Sequence, residues 1–217
     1  MGKKLDNRII KNDNAAIGIG ALIVFIAMVL VAGIAASVLV QTSTTLEMQA
    51  LKTGSQTVDQ VASGIMVEGI EGYNSSGSVV KLAVEIKARA GSPDIDLSES
   101  IIEISDSETK YVLEYDSNTF TYSNNTDGDL FTDGFYPSSS STTKFGLIVL
   151  QDADESCTSD NPVINFGDHV VLAIDNAFSG ISPRTDVFGQ VISEEGAPGI
   201  IGFRTPESYT EDVLELQ

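Results

Sequence analysis

Carboxylates are the side chains present in numbers that could do chemistry. "TDGDLFTDG" sets Asp127, Asp129 and Asp133 close together, and "QDADESCTSD" adds Asp152, Asp154, Glu155 and Asp160. Oxygen donors of this kind suit a hard divalent cation. Neither stretch follows the EF-hand order of alternating oxygen ligands, a turn glycine and a closing glutamate. They read as solvated acidic loops, with a divalent cation bridge between copies left open. No pair of carboxylates sits in a context that would separate their pKa values for acid–base work. His169, in "FGDHVVLAI", is the single histidine. It cannot by itself build a histidine metal site or a Ser-His-Asp triad, and no G-x-S-x-G motif accompanies it. Cys157 is the single cysteine, which excludes an intrachain disulfide. With no basic neighbour to activate it, it reads as a small semi-buried side chain. No P-loop is present, and "GIG" at Gly18–Gly20 follows no strand. The sequence therefore assigns no catalytic residue, no metal ligand and no cofactor. Two N-x-[ST] sequons, at Asn74 and Asn124, fall in polar, turn-like segments where a glycan would be accessible.

The elements that would position such groups begin with an apolar run. The chain has 217 residues and a net charge of −19, which argues against a nucleic-acid partner, since phosphate binding needs clustered cations. The imbalance is uneven. Lys3, Lys4, Arg8 and Lys11 outweigh Asp6 and Asp13 in a short basic head, and the rest of the chain carries the acid. From Ala15 to Val40 no residue is charged. A bilayer span needs about 20 apolar residues, so this run can cross a membrane. It is longer than the apolar core of an ordinary cleaved secretory signal, about 7–15 residues. The basic head is the end kept in the cytoplasm.

The run is apolar all round and free of proline, so helix is expected. Beyond it, Leu51, Val58, Val61, Ala62 and Ile65 continue one stripe at helical spacing. The helix is therefore expected over 16–70. That is far longer than one bilayer crossing requires and suits a bundle of many copies packing their apolar faces. A membrane span followed by a stalk is the plainer alternative.

"AAIGIGALIVFIAMVLVAGIAASVLVQT" resembles the N-terminus of archaeal flagellins (archaellins), the subunits of the archaeal motility filament. The match runs nearly residue for residue from Gly18 to Ala32, with Ala21 where threonine is usual. "SSGSVVKLAVEIKARAGSPDIDLSESIIEIS" (75–105) and "GQVISEEGAPGIIGFRTPESY" (189–209) are similar to strands of the archaellin outer domain; about 115–165 shows no match. The resemblance implies a class III, pilin-type signal over 1–15, cut between Ala15 and Ala16 by a prepilin-type signal peptidase, with cleavage after Asn14 as the alternative. The usual Lys-Gly or Arg-Gly before the cut is replaced by Asp13-Asn14-Ala15. It also implies a filament core helix carrying Gly18, Gly20, Leu22, Phe25, Val29 and Gly33, and N-glycosylation at Asn74 and Asn124. Glycine at position 20, where a bacterial-type pilin usually carries glutamate, favours archaellin over pilin.

After "EGYNSSGS" (71–78) the period changes from four to two. Val80, Leu82, Val84 and Ile86 alternate with Lys81, Glu85 and Lys87, the pattern of a half-buried strand. Further strands are expected at Ile101–Ile104, Tyr111–Tyr115, Phe145–Leu150, Val170–Ile174, Val187–Ile192 and Ile200–Phe203. The expected fold is α+β, a long N-terminal helix followed by an immunoglobulin-like β-sandwich over 71–217. The leading function is a structural one: a subunit of an extracellular archaeal motility filament, a homopolymer or a polymer with sibling archaellins, with the membrane as a partner only in transit. A subunit of an adhesive type IV-like pilus is the alternative, followed by a membrane-anchored extracellular binding module. An enzyme is not expected.

Overall fold

The computed structural model describes residues 3–132, 134–137, 143–175 and 179–217, with side chains from residue 15 onward. The chain divides into two compact units, Met1–Ser55 and Gln56–Gln217. Helix α1 runs without interruption from Lys3 to Ala62, about 90 Å at 1.5 Å per residue. Just past the uncharged run, threonines fold their polarity back onto the helix. Thr42 Oγ1 donates toward the carbonyls of Val38 and Leu39, Thr44 to Val40 and Thr45 to Gln41, each at 2.9 Å. Hydroxyls satisfied by their own backbone add little polar surface, so the apolar stretch effectively continues to Leu46.

The second unit holds β1 (Ile65–Ser75), β2 (Ser78–Ala88), β3 (Ile95–Asp96), β4 (Ile101–Ser105), β5 (Lys110–Tyr122), β6 (Lys144–Gln151), β7 (Val163–Ile164), β8 (His169–Asp175), β9 (Asp186–Ile192), β10 (Gly199–Arg204) and β11 (Val213–Glu215). Nine of these form one mixed sheet in the order β10-β9-β4-β5-β6-β8-β2-β1-β11, and β3 pairs with β7. The β5–β6 pair is parallel and the other pairs are antiparallel.

The sheet curls over its own core, so a sandwich forms from one continuous ladder. Ile102, Ile104, Val187 and Val191 from one half meet Leu82, Val84, Leu147 and Leu172 from the other in a single buried cluster. The curled edges approach each other. Ile65 N donates to Ala197 O at 3.1 Å. Gln217 bridges further along: its Oε1 accepts from Gly202 N at 2.8 Å, while its backbone pairs with Ile70.

Strands β2, β6 and β8 are covered on their second face too. Ala83, Ile148, Val171 and Ala173 pack under Phe131 and Tyr136 of the long β5–β6 connection, which explains the continuous apolar run "VVLAI" in β8. Lys81 pins that connection, donating to Phe131 O at 2.7 Å with its ammonium 5.0 Å from the Tyr136 ring centroid.

The expected strands form where alternation placed them, and the helix ends earlier than expected. It stops at Ala62, not at 70, and Ile65 is fully buried at the start of β1. Gly69 and Gly72 weaken any helix through this segment. "EGYNSSGS" is a hairpin rather than a break between domains. Ser76 and Gly77 both have positive φ, 57° and 87°, which gives the twist-matched two-residue turn between β1 and β2.

Candidate functional site

The largest functional feature is an uncovered one. Along α1 Leu22 is 60% exposed, Phe25 65% and Val29 54%. Gly18, Leu22, Phe25, Val29 and Gly33 follow helical spacing down one side of the helix. A Cβ added at Gly18, Gly20 or Gly33 would meet nothing within 4 Å, so no contact inside the chain requires these glycines. Their small size leaves the helix backbone open to close approach from outside. A shallow apolar hollow lined by Val24, Ala27, Met28, Val31, Ala32 and Ala35 marks a neighbouring side of the same helix. The helix is long and apolar enough, by length and composition, to cross a membrane. Ala15 and Ala16, at the expected cut, lie exposed within continuous helix; the side chain of Asn14 is outside the described residues.

Tertiary folding makes one acidic cluster out of two loops. Ligand-capable oxygens of Asp152, Asp154 and Asp168 lie within 4.8 Å of one another. Only the first two were visible as a group in the sequence; Asp168 arrives from across the β7–β8 turn, a distance of chain that spacing cannot bridge. Asp152 accepts from the backbone of Ser156 and Cys157, at 3.3 and 3.0 Å. Asp154 accepts from Asn165 Nδ2 at 2.7 Å, and Asp168 from Asn165 N at 2.8 Å. Burial pushes the Asp168 carboxyl up, and the Asp152 and Asp154 charges add to the push. Hydrogen bonds from Ser156 and Asn165 hold Asp154 below its usual value. Three hard oxygen donors could take a hard cation. Asp127 and Asp129 stay apart from this group; Asp129 accepts from Phe131 N at 2.9 Å and shapes its own loop. Asp133 lies outside the described residues. Cys157 is fully buried, and burial, with Asp152 and Asp168 nearby, pushes its thiol up to about 12; a thiol so placed is inert.

His169 joins an ion-pair network on adjacent strands. Its Nδ1 is 3.1 Å from Glu68 and 3.8 Å from Glu85, and Glu68 also pairs with Lys87. The two sequon asparagines differ. Asn74 is engaged twice, accepting from Gly77 N at 3.1 Å and donating to Glu211 O at 3.3 Å. Asn124 is exposed in a short 3-10 turn, Ser123–Asn125, beside the exposed ring of Tyr122.

The family profile of archaeal-type flagellins matches residues 15–203. The chain is an archaeal-type flagellin. This flagellin is 45% identical over 96% of its length to flagellin B2 of Methanocaldococcus jannaschii, 97% of which is covered. It is 38% identical to flagellin B3 of Thermococcus kodakarensis, over 93% of this chain and 97% of that one. Among solved structures, the archaeal flagellin FlaB1 of M. jannaschii superimposes with a TM-score of 0.63 at 36% identity, over 72% of this chain and 98% of that one. The archaeal flagellum of Methanospirillum hungatei shares the fold at a TM-score of 0.62 and 16% identity, over 91% and 98%. The flagellin is thus a structural filament subunit.

Proposed function

We propose that this flagellin is made as a precursor whose residues 1–15 form a class III signal, removed between Ala15 and Ala16 by a prepilin-type signal peptidase. Cleavage after Asn14 is the alternative register; the basic head and the uncharged run from Ala15 support a leader of this length. The precursor sits in the membrane with its basic head in the cytoplasm and α1 in the bilayer. After the cut the helix leaves the lipid and packs against the helices of other copies, with Gly18, Gly20, Leu22, Phe25, Val29 and Gly33 in the filament core. The β-domain then forms the outer wall of an extracellular motility filament. Its work is assembly rather than catalysis, and no cofactor enters it.

The observation that carries this reading is the helix itself, apolar on all sides from Ala15 to Val40 and exposed throughout that run. A helix of that kind is stable only in lipid or surrounded by protein. Lipid satisfies it before assembly and neighbouring helices afterwards; a heterologous, non-closing contact between them generates an open polymer. The test is Phe25→Asp in the full-length precursor, read by electron microscopy of sheared surface fractions and by blotting of membranes. Loss of filaments with precursor retained in the membrane is expected; normal filaments would remove the helix from the core.

Glycosylation belongs to the same reading, with Asn124 as the main acceptor. Its side chain is exposed, whereas that of Asn74 is spent on closing the β1–β2 hairpin.

A further inference from the structure

Away from the helix, the second face of β1, β2 and β8 gathers one imidazole and two carboxylates. Strict alternation would send every other residue of β1 to the core, yet Val67 and Ile70, three apart, both pack there. The ladder absorbs the extra residue as a bulge: Val67 pairs with Ile86 and Gly69 with Glu85, and Glu68 between them is passed over. A bulge re-aims the side chain it carries. Here it turns Glu68 toward the face that holds Glu85 and Lys87 of β2, where Lys87 stands in register with His169 of β8.

The three groups converge. Nδ1 of His169 lies 3.1 Å from Glu68 Oε2 and 3.8 Å from Glu85 Oε1, and one ligand-capable atom of each residue falls within 4.8 Å of the others. A tetrahedral zinc ion with bonds of about 2.1 Å holds its ligands about 3.4 Å apart. The two His169 distances bracket that spacing. The residues come from three neighbouring strands, so ladder hydrogen bonds fix their backbones. Lys87 takes the other Glu68 oxygen, Oε1, and leaves Oε2 facing the imidazole. Partners of this kind orient metal ligands.

A cavity of about 200 Å³ beside the cluster gives ions and water access; Glu68, Glu71, Glu85 and Glu215 line it, with Leu150 and Val171. Glu71 and Glu215 stand directly opposite each other in register, a like-charge pair that costs stability. Four carboxylates there face Lys87, which is held by Glu68, and Arg89, next on the same alternation just past the end of β2. Lys81, further back on that face, is committed to Phe131 O. The balance is acidic and favours a cation.

The donor set selects among cations. Calcium takes six to eight oxygens and magnesium an octahedron of them; the oxygen-only group Asp152, Asp154 and Asp168 suits that class. An imidazole with two carboxylates suits a borderline ion that accepts nitrogen and a low coordination number. We infer that Glu68, Glu85 and His169 bind a divalent cation of the zinc class, through Nδ1 and one oxygen of each carboxylate, with water completing the shell. On binding, the ion takes the place of the Nδ1 proton, which leaves to solvent. It ties β1 to β8 across β2. The site belongs to the β-domain and stands whether or not α1 packs in a filament core.

The experiment titrates ZnCl2 into the full-length chain in detergent, stripped with a chelator, by calorimetry in excess CaCl2 to saturate oxygen-only sites. One zinc per chain is expected, with a rise in melting temperature. His169→Gln and Glu85→Gln are expected to melt near wild type without zinc, to bind it at least about tenfold more weakly and to lose the rise. Glu71→Gln removes a carboxylate from the same cavity but no ligand, and is expected to keep most of the affinity. If His169→Gln shifts the metal-free melt, Glu85→Gln, at the most exposed of the three positions, carries the test. Absence of zinc binding in excess calcium overturns the inference. So does His169→Gln or, where that variant is misfolded, Glu85→Gln binding as wild type does. A loss in Glu71→Gln as large as in Glu85→Gln overturns it too, since a diffuse acidic surface would then hold the ion.

Discussion

At the scale of single residues, the acidic side chains turn out to be builders of loops more than reagents. Asp106 shows the mode: its Oδ1 accepts from Glu108 N, Thr109 N and Thr109 Oγ1, at 3.0, 2.8 and 3.2 Å, and closes the β4–β5 turn. Burial alone would raise its carboxyl, but the donors from Thr109 and Glu108 outweigh it and hold the group below its usual value. The sign follows. A depressed folded pKa contributes stability above the unfolded value, near 3.9, and that stability is lost as pH falls through the folded pKa. Asp106→Ala is expected to cost about 1 kcal/mol at neutral pH. The difference from wild type should vanish in acid, as read by thermal melts of the full chain in detergent across pH. The sequon asparagines give a second residue-scale prediction. Asn124→Gln should remove most of the glycan mass from native filaments, and Asn74→Gln little, by mass spectrometry of sheared material. An unmodified Asn124 peptide in wild-type filaments would overturn that assignment.

At the scale of elements, α1 is the piece whose packing surface is missing from its own chain. The hollow formed by Ala27, Ala32 and Ala35 between Val24, Met28 and Val31 has the shape that receives a ridge from another helix. Filling it with Ala35→Phe leaves the helix apolar and able to insert in lipid, yet blocks close approach of a neighbour. Filament yield is expected to fall at least tenfold while precursor in membranes stays constant, measured by quantitative blotting of both fractions. Equal loss from both fractions would point to failed insertion instead. The β1 strand carries the lesson about legibility. Helical spacing through Leu51, Val58 and Val61 invites extrapolation to Ile65, yet Ile65 pairs with Ala88 and lines the sheet core. Gly69 and Gly72 were the local signal against helix. The remaining signal, pairing with β2 and β11, is non-local.

At the scale of the whole molecule, electrostatics and burial pull in opposite directions. The β-domain is strongly acidic, and a filament brings many such domains together. Apolar burial of α1 must outweigh that mutual repulsion, which salt screens over about 8 Å at physiological ionic strength. Filaments are therefore expected to depolymerise at higher temperature as NaCl is raised from about 0.05 to 0.5 M, by light scattering. A flat or falling response would mean that attractive ion pairs, not repulsion, dominate between the outer domains.

The long helix, its all-round apolar surface and the alternation of most β-strands were determined by the sequence alone, because each depends on period and composition within a short window. So was the family resemblance, carried by consecutive residues from Gly18 to Ala32. Tertiary structure decided what depends on contacts between distant residues. It ended the helix at Ala62 and brought Asp168 to Asp152 and Asp154. It also separated the engaged Asn74 from the free Asn124, and gathered Glu68, Glu85 and His169 from three strands. Those outcomes rest on strand pairing and loop closure, which join residues by register rather than by spacing, and no local pattern records a register.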